Sequence, residues 1–146
     1  AEWMRQVGGL AFQGAVLVAD YGFESGEYYS PERMDGTVRR YHDHKMDGDV
    51  LQDPGACDLT SHVNFSRLME EAAPKFEMRL CLDQGRFLTH LAAPWLRSLE
   101  GTPASPATAS LLRQFHTLTH PSHMGGRFRM CLLGRGIGSA PLPGAA

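Results

Sequence analysis

A chain of 146 residues with 42% hydrophobic and 21% charged side chains can bury a core and is expected to form one domain. Its 14 basic and 16 acidic side chains leave a net charge of -2, so no global field draws it to DNA, RNA or anionic lipid. No apolar run approaches the roughly 18 residues of a membrane helix. Cys57, Cys81 and Cys131 are far apart, odd in number and without a CxxC pair, which fits a reducing compartment better than a disulfide framework or zinc.

The chain opens AEWMRQ, already in a helical pattern, and is expected to be part of a longer or processed protein. Trp3, Val7, Leu10 and Ala11 predict an amphipathic helix over residues 1 to 13, weakened by Gly8-Gly9. Residues 15 to 19 then form a continuous apolar run, the pattern of a strand covered on both faces as in a parallel sheet. Ligands of open α/β sheets sit beyond the carboxyl ends of such strands, where Asp20, Tyr21 and Gly22 stand here. Asp20 can equally cap a turn before Gly22.

Residues 23 to 57 show no sustained period and predict a long loop, which in a compact domain is usually functional or disordered. It contains RRYHDHK at 39 to 45, an unusual density of polar chemistry. Phe65, Leu68, Met69 and Ala72 mark a helix, with Asn64 as its N-cap and Pro74 as its stop. KFEMRLCLD alternates as a half-buried, antiparallel or near-edge strand. Phe87, Leu88, Leu91, Trp95 and Leu96 give another helix that Pro94 kinks or breaks. Pro106 opens a last helix and Pro121 ends it. Phe128, Met130 and Leu132 alternate in a terminal strand, and 134–146 read as a Gly/Ala/Pro-rich tail.

Two histidine groups invite a metal reading. His42 and His44 are two apart in the loop, whereas catalytic zinc normally takes three protein ligands, so a solvated polar loop is preferred. His116, His120 and His123 cluster at a helix end without HEXXH and fit cations complementing the helix dipole. No metal is expected. Asp35, Asp43, Asp47 and Asp49 offset Arg39, Arg40 and Lys45, which weakens a nucleic-acid reading. GxSxG, the P-loop and a GxGxxG after a strand are all absent from the sequence.

In this order, GAVLVADYGF, GTVRRYHDHK, PGACDLTSHVNF, DQGRFL and MGGRF resemble the MidA-like S-adenosylmethionine-dependent methyltransferases. The mitochondrial member of that family is a protein-arginine methyltransferase needed to assemble respiratory complex I. The likeness covers about residues 1 to 133. Asp20, Tyr21 and Gly22 match its DYG; Gly36, Thr37, Arg39, Tyr41 and His44 its second motif, with Val38 replacing the usual Leu. Pro54, Gly55, Asp58, Leu59, Thr60, His62, Val63 and Phe65 match the third, where Asn64 replaces the usual Asp.

The resemblance implies an α/β fold: the C-terminal half of a Rossmann-like class I methyltransferase sheet, incomplete without an N-terminal cofactor-binding half. It assigns 1–133 to that methyltransferase portion. S-adenosylmethionine would be the cofactor of the full-length parent, and no cofactor-binding residue is identified here because the glycine loop is absent. By the same resemblance, Asp20 and Asp58 are candidates to orient a guanidinium, Tyr21 and Tyr41 to wall the pocket, and His44 or His62 to accept a proton. Gly22, Arg39 and Thr60 complete the expected pocket, with Arg39 holding a carboxylate. The implied partner is a protein substrate, such as a complex I subunit, in the mitochondrial matrix of a eukaryote or the cytoplasm of a bacterium, not a secreted setting. The rival reading is a non-catalytic accessory module derived from such an enzyme.

Overall fold

The strands do not share out burial as their sequences suggest. In a computed structural model, which describes residues 2–47, 49–101, 103 and 105–138, the chain divides into two compact units. One holds the residues up to Asp20 together with those from Glu71 onward; the other holds Tyr21–Glu70.

In the first unit a short helix, α1 (Glu2–Gly9), precedes β1 (Gly14–Phe23), whose last three residues belong to the second unit. Later come β6 (Met78–Asp83), α4 (Gln84–Ser98), α5 (Pro106–Thr119), a kinked turn (Pro121–Gly125) and β7 (Phe128–Arg135). The strands lie in the order β1-β7-β6. β6 and β7 are antiparallel from Met78 opposite Gly134 to Asp83 opposite Arg129. β7 is the strand covered on both faces: Met130, Cys131 and Leu133 are all buried. β1, expected to be covered on both, alternates instead, with Ala15, Leu17 and Ala19 exposed and Leu17 at 52%. An apolar run records which side chains tolerate burial; position in the sheet decides which are buried.

Local chemistry sets the helix ends. Ser105 accepts the backbone N–H of Thr108 at 3.1 Å, with Pro106 at the first helical position of α5. α4 runs through Pro94 without a break, contrary to one of the two outcomes that residue suggested. β7 ends at Arg135. Its guanidinium donates to the carbonyls of Lys75 (2.9 Å), Leu10 (2.7 Å) and Gly8 (2.8 Å). It also lies 4.9 and 4.8 Å from the ring centroids of Phe12 and Phe76. The rest of the expected tail, 139–146, lies outside the described residues.

Beside it, the exposed Glu77 carboxylate accepts the Gly136 N–H. Hydrogen bonds from its own backbone N–H and from Gly136 hold its pKa below the usual value, with Arg135 adding a smaller pull. A depressed carboxylate contributes stability above its unfolded pKa and loses it as pH falls through the folded value. Denaturation midpoints should therefore drop on acidification below the ordinary carboxylate range, less steeply in Glu77→Gln. Equal acid slopes for both proteins, followed by circular dichroism, would remove Glu77 from the account.

The second unit shows why RRYHDHK is so polar. It is not a loop but a hairpin: β2 (Arg39–His42) and β3 (Lys45–Asp47) are joined by Asp43 and His44, both at positive φ (48° and 62°). Two consecutive left-handed residues make a tight turn matching the twist of paired strands, and aspartate is among the residues that tolerate it best. β4 (Asp58–Thr60) pairs with the other edge of β2, giving the order β3-β2-β4. Two further short pieces, α2 (Ser25–Tyr28) and a 3-10 turn (Pro31–Arg33), precede the hairpin. The end of β1 pairs in parallel with β5 (Val63–Asn64), which leads into α3 (Phe65–Ala72). Asn64 caps α3 as expected, its Oδ1 accepting from the Arg67 N–H at 3.0 Å.

Candidate functional site

Two groups of side chains in the second unit gather most of the expected site residues. The first lies on the three-stranded sheet. Antiparallel register sets Tyr41 opposite Asp58 and Arg39 opposite Thr60. Opposed residues share a face, as do residues two apart on one strand, so Arg39, Tyr41, Asp58 and Thr60 stand together on one side. Asp58 is exposed, while Arg39, Tyr41 and Thr60 are half-buried. The face thus offers a solvent-accessible carboxylate beside a phenol ring, about 5 Å apart at Cβ by ladder geometry.

The Arg39 guanidinium donates to the carbonyls of Val38 (2.8 Å) and Gly36 (3.2 Å). On the opposite face of β2, Arg40 is 3% exposed and lies 3.7 Å from Asp53, a parity that was hidden while the stretch was read as a loop. His44 sits exposed at the hairpin tip, in the turn rather than on the strand face.

The second group surrounds His62. Tyr21 and Phe23, two apart on β1, both meet its ring: Phe23 stacks at 4.7 Å and Tyr21 approaches edge-on at 5.4 Å. The His62 backbone N–H donates to Thr37 Oγ1 at 3.3 Å, and that hydroxyl lies 3.5 Å from the Tyr28 hydroxyl. Arg33 lies over the Phe23 ring at 3.9 Å. Asn64 Oδ1 also accepts from Ser25 Oγ at 3.2 Å. Two buried polar atoms here, His62 Nδ1 and Asn64 Nδ2, have no hydrogen-bond partner among the described residues. Such atoms cost free energy until something bonds them, so they mark where a ligand group or water is wanted. Phe23 and Thr37 carried no role in the sequence reading, although the i, i+2 spacing of Phe23 from Tyr21 was a usable signal.

Gly22 has a backbone task. A Cβ there would sit 2.0 Å from the Val63 carbonyl oxygen and 2.7 Å from its nitrogen, so only glycine lets β1 and β5 approach. Asp20 is half-buried on β1 in the first unit.

A cavity of about 410 Å³ in the first unit lies elsewhere, lined by Asp83, Arg86, His90, Thr119 and Gly125 among others, and by none of the expected site residues. The rings of His116, His120 and His123 lie 4.6 to 5.8 Å apart. Among the described residues, no three His, Cys, Asp or Glu side chains come together in a way that could hold a metal. Nor is any described helix long and apolar enough to cross a membrane.

Residues 1–81 match the family model of S-adenosyl-L-methionine-dependent methyltransferases. The chain is 31% identical, over 97% of its length, to the mitochondrial protein arginine methyltransferase NDUFAF7 homolog of Drosophila melanogaster, of which it covers 32%. It is 34% identical over 82% of its length to the Homo sapiens protein arginine methyltransferase NDUFAF7, covering 26% of that protein. A Burkholderia thailandensis protein crystallised with S-adenosyl-homocysteine superimposes on 95% of the chain with a TM-score of 0.76 and 29% identity, the match covering 36% of that protein. The chain therefore spans about a third or less of these relatives.

Proposed function

Since this chain belongs to the MidA-like S-adenosylmethionine-dependent methyltransferases, we propose that it forms the substrate-side, C-terminal part of a protein-arginine methyltransferase. The names of its relatives support arginine as the acceptor, and their greater length leaves room for the remaining part of the domain. The uncovered apolar face of β1 at Ala15, Leu17 and Ala19 supports the same reading, because a central strand of an α/β sheet is covered on both sides. The family cofactor supplies an electrophilic methyl group. No residue of this chain is assigned to hold it, since no glycine loop follows a strand into a helix here.

The observation that carries the proposal is the direct opposition of Tyr41 and Asp58. A guanidinium is planar, cationic and donor-only, so a carboxylate orients it and an aromatic flank screens it from water. Methylation needs such positioning more than a strong base. Asp58 would align the acceptor nitrogen, Tyr41 would flank it and Thr60 would border it. His62, held between Tyr21 and Phe23 with a free buried Nδ1, is the group suited to take a proton, whereas the exposed turn position of His44 suits it less. In a eukaryotic host the setting would be mitochondrial, as the names of the relatives have it, with the matrix as the compartment we propose, and a complex I subunit would be a candidate substrate.

In a complete protein carrying this segment, Asp58→Ala should lower kcat/KM for methyl transfer to an arginine peptide by about 100-fold, the scale of a lost positioning contact. Asp58→Glu should recover part of it. Unchanged turnover in Asp58→Ala would rule out this residue, and a complete wild-type protein without methyl transfer would favour the accessory-module reading.

A further inference from the structure

We propose that Cys81 and Cys131 form a peroxide-oxidisable thiol pair that reversibly staples β6 to β7. Fifty residues separate them in sequence, which hid the pairing, yet they stand directly opposite each other with Cα atoms 4.0 Å apart and their sulfurs bonded. Opposed positions share a face, so the two thiols meet without a change of register. Their accessibilities differ. Cys131 is fully buried, whereas Cys81 is half-buried and can be reached by a small oxidant. Cys57, in the second unit, stays free.

The chemistry divides along that asymmetry. The Cys81 thiolate attacks one oxygen of hydrogen peroxide: an S–O bond forms, the O–O bond breaks and hydroxide leaves, giving a sulfenic acid. The Cys131 thiol then attacks the Cys81 sulfur: the S–S bond forms, the S–O bond breaks, and the departing hydroxyl takes the thiol proton and leaves as water. Two electrons pass from the thiols to the peroxide. A dithiol reductant reverses the bond by exchange. In a reducing compartment, a bond of this kind is redox-sensing rather than permanent.

The staple sits where it can matter. Asp83, two residues after Cys81, lies 3.9 Å from Arg129, two residues before Cys131, and begins the wall of the 410 Å³ cavity that continues through Gly85 and Arg86. Oxidation adds a covalent tie to the paired strands that hold this wall; reduction removes the tie and leaves the hydrogen-bonded ladder.

The test starts from the chain reduced with dithiothreitol, desalted, treated with hydrogen peroxide, unfolded and alkylated with iodoacetamide. Mass spectrometry should count three labels before oxidation and one, on Cys57, afterwards, with a Cys81–Cys131 crosslink in the peptide map. Thioredoxin treatment should restore three labels. The oxidised chain should melt about 5 °C or more above the reduced one, as expected for a crosslink closing a loop of this length, with slower amide exchange in 78–83 and 128–135. Cys131→Ser should abolish both changes. Should that variant fail to fold, Cys57→Ser must pass from two labels to none. Sulfinic acid at Cys81 beside a free Cys131, a crosslink through Cys57, or equal melting of the two forms would overturn the proposal.

Discussion

Gly22→Ala should destabilise the second unit by about 3 kcal/mol, the upper range for forcing a methyl group into closed packing. The added Cβ would lie 2.0 Å from a backbone oxygen, and backbone cannot swing aside as a long side chain can. The strand end has to retreat from β5, taking with it the ring pair that holds His62. Gly26 is the internal control. It lies in α2 with open space where a Cβ would go, so Gly26→Ala should be neutral or slightly stabilising. Urea denaturation by circular dichroism gives the free energies, and amide exchange at 62–64 locates the damage. Equal stability of the two alanine variants would refute the role given to Gly22.

Arg135→Ala should cost the first unit a similar amount, about 3 kcal/mol, because one side chain ties three segments together. It bonds the carbonyls of Gly8, Leu10 and Lys75 and lies over the rings of Phe12 and Phe76. Charge-assisted hydrogen bonds contribute roughly 1.5–3 kcal/mol singly and add less than fully in a partly exposed cluster. Arg135→Lys should recover only a minor part, since a single ammonium cannot reproduce a planar fork spanning three carbonyls. Trp3 and Trp95 both lie in this unit, so their fluorescence reports its unfolding. A lysine variant as stable as the original would show that charge, not geometry, is what matters.

The helices were readable because their signals are local: the Asn64 cap, Pro106 at a first turn, the stop before Pro121. What escaped depends on pairing. RRYHDHK looked like a loop since short exposed strands carry little hydrophobic period, and its turn is marked only by positive φ at Asp43 and His44. Once the hairpin is known, parity explains why Tyr41 and Asp58 meet while Arg40 turns away to Asp53. The Cys81–Cys131 pair was invisible for the same reason, being set by a register that bridges fifty residues. The difference in burial between β1 and β7 has another origin. Both carry apolar residues, and the elements packed on each face, not the run itself, decide which is enclosed.

The most direct test is a crystal structure of a complete family protein containing this segment, bound to S-adenosyl-homocysteine and an arginine peptide. The account predicts the guanidinium on the Arg39–Tyr41–Asp58–Thr60 face, hydrogen-bonded to the Asp58 carboxylate and flanked by Tyr41. A guanidinium held on another surface, with Asp58 facing bulk solvent, would contradict it.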